Sequence, residues 1–463
     1  MAADLIPPAD PHQRRVLAVA ILASFVAFLD GSVVSLALPA MSRELGGGLT
    51  VQQWTVDAYL LTLGALILVA GSLSDLFGRV RVLQWGIVAF AATSVLCGVA
   101  PTGTVLIVGR ALQGAAGALL VPSSLALIVG NFSGPAQSRA IGRWTAWTSA
   151  ANIVAPLVGG AMVDLLSWRL VFFINLIPVA VSLPLLARLR GTDSPRDPTA
   201  AVDWAGTALA AVGLGGTVYA LIEQAAFGWG SPAVLLPLIT GVLCLVGFVL
   251  YEGRTRAPMM PLELFRVRNF SAGNLATLLI YGALSFGLFI LGIYLQQVGR
   301  LPATVAGLAL LPATVLLLAL SSRFGAWAGR TGPRWFMTGG PVLAGLGFLL
   351  ITTVHSPLNY WFTVLPGIIV FGVGLAATVA PLTSAILGSV PAGRAGIGSA
   401  INNAVARIAG LVTIACAGVV AGPVLDTPAL HRCMAAAAAM LITGGIVSAV
   451  GIRNPVREVL AGR

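Results

Sequence analysis

From residue 16 almost to the C-terminus, the chain is a succession of apolar runs broken by short stretches of Gly, Pro and Arg. Each run is about 20 residues, the length a helix needs to cross the hydrocarbon core of a bilayer. Read by length and breaks, fourteen spans are expected, near 16–39, 52–73, 82–100, 103–128, 141–164, 170–188, 204–225, 233–251, 271–296, 303–322, 335–354, 360–380, 398–421 and 433–452. The predicted fold class is all-α, a polytopic membrane protein with about 14 transmembrane helices. Composition agrees: 9% of residues are charged, against about 25% in a soluble domain. The first run is too long for a signal peptide and carries Asp30 and Pro39, so it is read as a retained helix.

The net charge of +11 comes without a single lysine; all 26 basic residues are arginine. A phosphate-binding P-loop and a lysine Schiff base are therefore excluded. The charge does not imply nucleic-acid binding, because the arginines follow the loops. With the N-terminus and Arg14 and Arg15 in the cytoplasm, the odd breaks expose only Arg43, Arg169, Arg300 and Arg432 to the outside. The even breaks carry Arg79, Arg81, Arg139, Arg143, Arg188, Arg254, Arg266, Arg330, Arg334, Arg394 and others. That asymmetry is the positive-inside pattern, and it puts both termini in the cytoplasm. Cys97, Cys244, Cys416 and Cys433 lie in or beside apolar runs, and His12, His355 and His431 lie in breaks or at run ends. Their spacing fits neither a metal site nor a disulfide framework, and no cofactor is expected.

A charged break, Gly71-Ser-Leu-Ser-Asp75-Leu-Phe-Gly78-Arg79-Val-Arg81, follows the second run. Gly71 and Gly78 are expected to permit a tight reversal, with Asp75 pairing to Arg79, Arg81 or nearby helix ends. Gly325-Ala-Trp-Ala-Gly329-Arg330-Thr-Gly332-Pro333-Arg334 echoes it at an offset of 254 residues, without the acid. Each copy falls in a six-span half, which divides the chain into an N-terminal six-helix bundle (1–188), a linker and two-helix insert (189–270) and a C-terminal six-helix bundle (271–463). Two similar halves with a site between them is a transporter architecture.

Few ionisable groups are embedded in the runs, and each costs about 3 kcal/mol at mid-membrane on insertion scales. Asp30 lies inside the first run, either as a polar helix–helix contact or as a protonatable site. Asp57 lies one turn into the second, beside Trp54 and Tyr59, either solvated at the outer mouth or on a cation entry path. Arg110 lies in the fourth, near Gln113, and needs a carboxylate, an amide or water as partner. Glu223 is either interfacial and inert or a cavity group. After residue 270 no acid is embedded, and Asn402, Asn403 and Arg407 are the notable polar groups. In the fifth run, Ala155-Pro156-Leu-Val-Gly159-Gly160 combines a kink with small residues that let a neighbouring helix approach.

The Gly71–Arg81 break closely resembles the loop between helices 2 and 3 of the major facilitator superfamily, where it latches one conformation of an alternating-access cycle. Phe28-Leu-Asp30 running to Ala-Leu-Pro39 resembles the first-helix signature of the fourteen-helix drug:proton antiporters of that superfamily, as does Trp54-Thr-Val-Asp57-Ala-Tyr59. Arg110 resembles the helix 4 arginine linked to proton coupling. Residues 155–160 resemble the antiporter motif, with Ala155 where the pattern has glycine. Trp168-Arg169 through Asn175 to Pro178 is similar to the same branch. The resemblance implies proton-coupled export of amphipathic small molecules, by a monomer in the cell membrane that is not an enzyme. A dedicated natural-product exporter is the alternative, and a non-transporting receptor or scaffold is disfavoured by the embedded charges. The absence of acids in helices 10 and 13 argues against divalent cations as substrates.

Overall fold

The computed structural model describes residues 10–189, 202–255, 258–391, 394–422 and 424–454. The expected linker at 190–199 lies outside them, and so does the side chain of Asp75. Among the described residues there are helices and no strand. In chain order they are α1 (Pro11–Leu45), α2 (Gly48–Phe77), α3 (Arg79–Gly98), α4 (Gly103–Asn131), α5 (Gly134–Val154, continued through a π turn by Gly160–Leu165), α6 (Leu170–Phe173 and Leu176–Ala187), α7 (Trp204–Phe227) and α8 (Pro232–Glu252). After a 3-10 turn at Leu262–Arg266 come α9 (Arg268–Gln297), α10 (Ala303–Thr331), α11 (Arg334–Ile351), α12 (a π turn at Tyr360–Val364, then Leu365–Leu387), α13 (Ala395–Ala415 and Ala417–Ala421) and α14 (Thr427–Gly451). Thirteen of these are long and apolar enough to cross a membrane, and the 30-residue α2 occupies the second expected span.

Several helices outrun the apolar stretches that announced them. α1 continues through Pro39 to Leu45, and α10 continues past residue 322 to Thr331. Leaving the apolar run does not break the backbone ladder; a residue that cannot stay helical does. Gly71 shows the difference. It was expected at a reversal, but it lies inside α2 with helical backbone on both sides. The turn is made by Gly78 alone, at φ 96°, and α3 starts at the next residue. The echo behaves identically: α10 ends at Thr331, Gly332 turns at φ 91°, and α11 starts at Arg334. The repeat is thus a shared backbone device, available to glycine without strain.

The packing also repeats. α4 packs on α1, α2 and α3, and α5 and α6 pack on α1. Eight helices later, α12 packs on α9, α10 and α11, and α13 and α14 pack on α9. α7 and α8 pack on each other, and α7 also touches α2 and α13. Across the two sets, α2 packs on α13, α1 on α9, and the end of α5 on α10. Small residues permit the last approach: a side chain at Gly160 would collide with the Thr304 backbone, and one at Gly307 with Pro156 and Leu36. Two side chains tie the sets together toward the face away from the termini. Gln53 donates to the carbonyls of Ile414 (2.8 Å) and Ala415 (2.9 Å). Asp164 accepts from the first two backbone amides of α10.

Candidate functional site

Asp30, Arg110 and Gln113 converge in the core of the first set. Asp30 and Gln113 are fully buried and Arg110 is 1% exposed. One turn of α4 separates Arg110 from Gln113, so both project onto the face that meets α1. Arg110 Nη1 donates to Asp30 Oδ2 at 2.6 Å and to Gln113 Oε1 at 2.6 Å. Its Nε donates to the carbonyl of Thr55 on α2 at 3.0 Å. The guanidinium lies 4.2 Å from the ring centroid of Tyr59 and 5.9 Å from that of Phe172. The planar fork therefore bridges α1, α2 and its own helix at once, which an ammonium cannot do.

The other carboxylate oxygen of Asp30 is held by two amides. Gln113 Nε2 donates to Oδ1 at 3.0 Å and Asn175 Nδ2 at 2.8 Å. The same two amides donate to Ser94 Oγ, at 2.8 and 3.1 Å. Asn175 lies between the two helical stretches of α6, Leu170–Phe173 and Leu176–Ala187. Ser94 was not singled out from sequence, and Asn175 was named there only within the Trp168–Pro178 resemblance, with no role. A lone Asn or Ser in an apolar run carries no charge signal, and only the register of α3 and α6 shows where each points.

The remaining candidates separate into distinct places. Asp57 is fully buried, and neither carboxylate oxygen has a hydrogen-bond partner. That corrects the reading of Asp57 as solvated at the mouth: α2 turns this face inward, where it meets α13. Glu223 makes a contact between helices. It is half-buried and accepts from Trp54 Nε1 at 2.8 Å, tying α7 of the insert to α2. Trp54 also tilts against Tyr219, with ring centroids 6.1 Å apart. Arg407 on α13 lies within electrostatic reach of Tyr59, and its buried Nε has no hydrogen-bond partner. Asn402 donates to Asn274 (3.2 Å) and Thr277 (2.8 Å), so its amide joins α13 to α9. Asn403 is exposed. Arg79 donates to the carbonyl of Ala126 at 3.0 Å, anchoring the start of α3 to α4; Arg81 is exposed. Ala155, Pro156 and Gly159 form the π turn of α5, with Gly159 against Val33 of α1. Among the described residues, no group of three or more His, Cys, Asp or Glu could hold a metal ion.

An embedded ion pair thus lies in one of two similarly packed helix sets, with a tight glycine-lined seam between them. The family model described as Major Facilitator Superfamily matches residues 20–414. The chain belongs to the major facilitator superfamily. Among its relatives, the puromycin resistance protein pur8 of Streptomyces alboniger is 35% identical over 88% of this chain and 81% of its own. The methylenomycin A resistance protein of Bacillus subtilis is 32% identical over 88% and 87%. A probable actinorhodin transporter of Streptomyces coelicolor is 33% identical over 89% and 73%. The fold is that of solved transporters. A peptide transporter crystallised with sulfate has a TM-score of 0.71 at 17% identity, covering 94% of this chain and 93% of its own. A bacterial homologue of the lysosomal transporter Spinster, in an inward-facing and unoccupied conformation, has a TM-score of 0.67 at 14% identity over 97% and 100%. The superfamily chain is a multi-pass membrane protein.

Proposed function

We propose that this protein exports amphipathic small molecules, cationic or neutral, across the cell membrane in exchange for protons, by alternating access. The observation that carries this reading is the buried Asp30–Arg110 pair at 2.6 Å. In an apolar surrounding, the Asp30 carboxylate and the Arg110 guanidinium balance each other's charge. Protonation of Asp30 removes the charge that Arg110 faces, and the guanidinium must find another acceptor or shift toward water. Proton uptake and a change of helix arrangement are thereby one event. No covalent bond of the substrate changes, so the protein acts as a transporter and not as an enzyme.

The two bundles, 1–188 and 271–463, would rock about the seam, with the insert at 189–270 beside them and the chain working as a monomer. The arginine distribution supports cytoplasmic termini, and the ties through Gln53 and Asp164 then close the outer face. In this state the protein faces inward. Outside protons reach Asp30, or Asp57, when the outer seam opens.

Uptake of a panel of dyes and antibiotics into inverted membrane vesicles, with an imposed pH gradient, tests the reading. Wild type is expected to accumulate amphipathic compounds when the lumen is acid, and Asp30→Asn is expected to lose this at normal protein level. Gradient-driven uptake by Asp30→Asn equal to wild type would sink it. A second reading, export of one natural product, is favoured by relatives named for single compounds, such as the tetracenomycin C resistance and export protein of Streptomyces glaucescens. The same panel separates the two: one transported compound supports the narrow pump, several unrelated ones the broad exporter.

A further inference from the structure

The two-helix insert contains a carboxyl pair that the transport reading does not use. Asp203 caps α7: its Oδ1 accepts from the Gly206 amide at 2.8 Å, and its backbone carbonyl accepts from Thr207 Oγ1 at 2.6 Å. Glu252 is the last residue of α8 and is 3% exposed. Its Oε2 accepts from the Met260 amide at 3.0 Å. Each carboxylate therefore has one oxygen satisfied by a backbone N–H. The other two oxygens, Asp203 Oδ2 and Glu252 Oε1, are buried with no donor. They flank one spot. A Cβ on Gly206 would lie 2.5 Å from Asp203 Oδ2 and 2.9 Å from Glu252 Oε1. The missing side chain at Gly206 is what lets the two carboxyls meet.

Two ionised carboxylates in that position would face each other out of water with no cation between them, an arrangement carboxylates avoid by keeping a proton. Among the described residues, the charged groups of the surrounding elements do not supply one. Arg254 and Arg266 are exposed, and Glu263 pairs with Arg394 at 3.3 Å. Thr207 Oγ1, on α7, already donates to the Asp203 carbonyl. Arg256 lies outside the described residues. A single proton satisfies both oxygens at once, as a short O–H···O hydrogen bond between acid and carboxylate. We propose that Asp203 and Glu252 bind one shared proton at neutral pH, forming a second proton site in the insert, apart from Asp30.

The site has leverage because of what it joins. It fastens the start of α7 to the end of α8 and, through Met260, to the segment that leads into α9. Loss of the proton sets two anions against each other and loosens that junction. α7 in turn reaches α2 through Glu223 and Trp54. The proposal goes beyond proton-coupled export and stands whether or not Asp30 moves a proton.

The test uses the full-length protein in lipid nanodiscs. In the unfolded chain both groups titrate near pH 4, so a proton held by the folded pair stabilises below its release and is lost as pH rises. Wild type should show a protonated-carboxyl C=O band in infrared spectra at neutral pH, and a Tm that falls as pH rises from about 4 through neutrality. Glu252→Gln replaces the shared proton by an amide N–H and should lose both the band and the slope. Asp203→Asn should lose the same band, since either change removes the one proton; it keeps the helix cap and carries the test if Glu252→Gln does not fold. Asp30→Asn should retain both signals, so failure of the exporter reading is distinguishable from failure of this one. A band and slope unchanged in both insert variants overturn the proposal. So does a wild type with no such band whose Tm rises on adding sodium or potassium, because a metal cation would then hold the pair.

Discussion

Asp164, at the end of α5, grips Thr304 at the start of α10: its Oδ2 accepts from the Thr304 amide at 2.8 Å and from Oγ1 at 2.7 Å, while Oδ1 accepts from the Ala303 amide at 2.8 Å. The first amides of a helix have no intrahelical partner, and here an acid from the other half supplies one. The bond exists only while the seam is shut. Asp164 is exposed and borders a cleft of about 800 Å3 lined also by Arg43, Gln296 and Arg300, so water competes with the cap. Loss of such a cap costs about 1 kcal/mol, or roughly a fivefold change in an equilibrium. Asp164→Ala is expected to shift the closed-to-open ratio of this face about fivefold toward open, and Asp164→Asn much less. Labelling of cysteines introduced along the seam measures it; identical labelling in Asp164→Ala and wild type would show that the cap does not hold the seam.

Gly160 allows α5 to lie against the Thr304 backbone. Gly160→Val overpacks that contact at a cost of about 1–3 kcal/mol, and it acts only on the closed seam. It should open the same face at least as strongly as Asp164→Ala. Gly142→Ala, with nothing within 4 Å of the new methyl group, is the matched control and should leave labelling unchanged. Equal effects from both glycine changes would point to general loosening of the helices.

Arg110 holds Asp30, Gln113 and the Thr55 carbonyl together. Its removal leaves a buried carboxylate short of its charge partner, a loss of about 3–5 kcal/mol for a pair of this kind. Arg110→Ala should lower Tm clearly and alter the pH profile of transport, because Asp30 then loses the cation it faces. Arg110→Lys should restore the charge but not the three-way geometry, giving intermediate values. A pH profile that does not move in Arg110→Ala would make the arginine a structural strut and send the search for the proton path to Asp57.

The two glycines of the α2–α3 segment should respond in opposite directions. Gly78 sits at φ 96° and ψ 138°, a region that costs other residues about 1–3 kcal/mol. Gly71 is helical with open space around it, where alanine gains about 0.5–1 kcal/mol. Thermal melts should therefore show Gly78→Ala destabilised and Gly71→Ala unchanged or slightly stabilised. Destabilisation by Gly71→Ala would mean that the segment unwinds in another state of the cycle.

The spans, the family and the embedded charges were legible in the sequence because each is set by composition along the chain. Twenty apolar residues make a span whatever lies beside them, and an acid or arginine within one stands out. The 254-residue echo was legible too, since a positive-φ turn demands glycine at both places. Gly71 was misread, and the place of Asp57 was left open, where a local sign had two physical outcomes. Gly71 marks a reversal or a tolerated helix position, and Trp and Tyr beside Asp57 mark an interface or a packed seam.

What only the tertiary structure decided is which polar group meets which. Asp30 and Arg110 are 80 residues apart, and Asp30 and Asn175 are 145 apart. Asp164 finds its amides 139 and 140 residues later, and Asp203 meets Glu252 across the length of two helices. Hydropathy puts a helix in the membrane but leaves its rotation and its neighbours free. Those are fixed by close packing at residues such as Gly160, Gly206 and Gly307, where the absence of a side chain decides how near two helices come and so which hydrogen bonds can form.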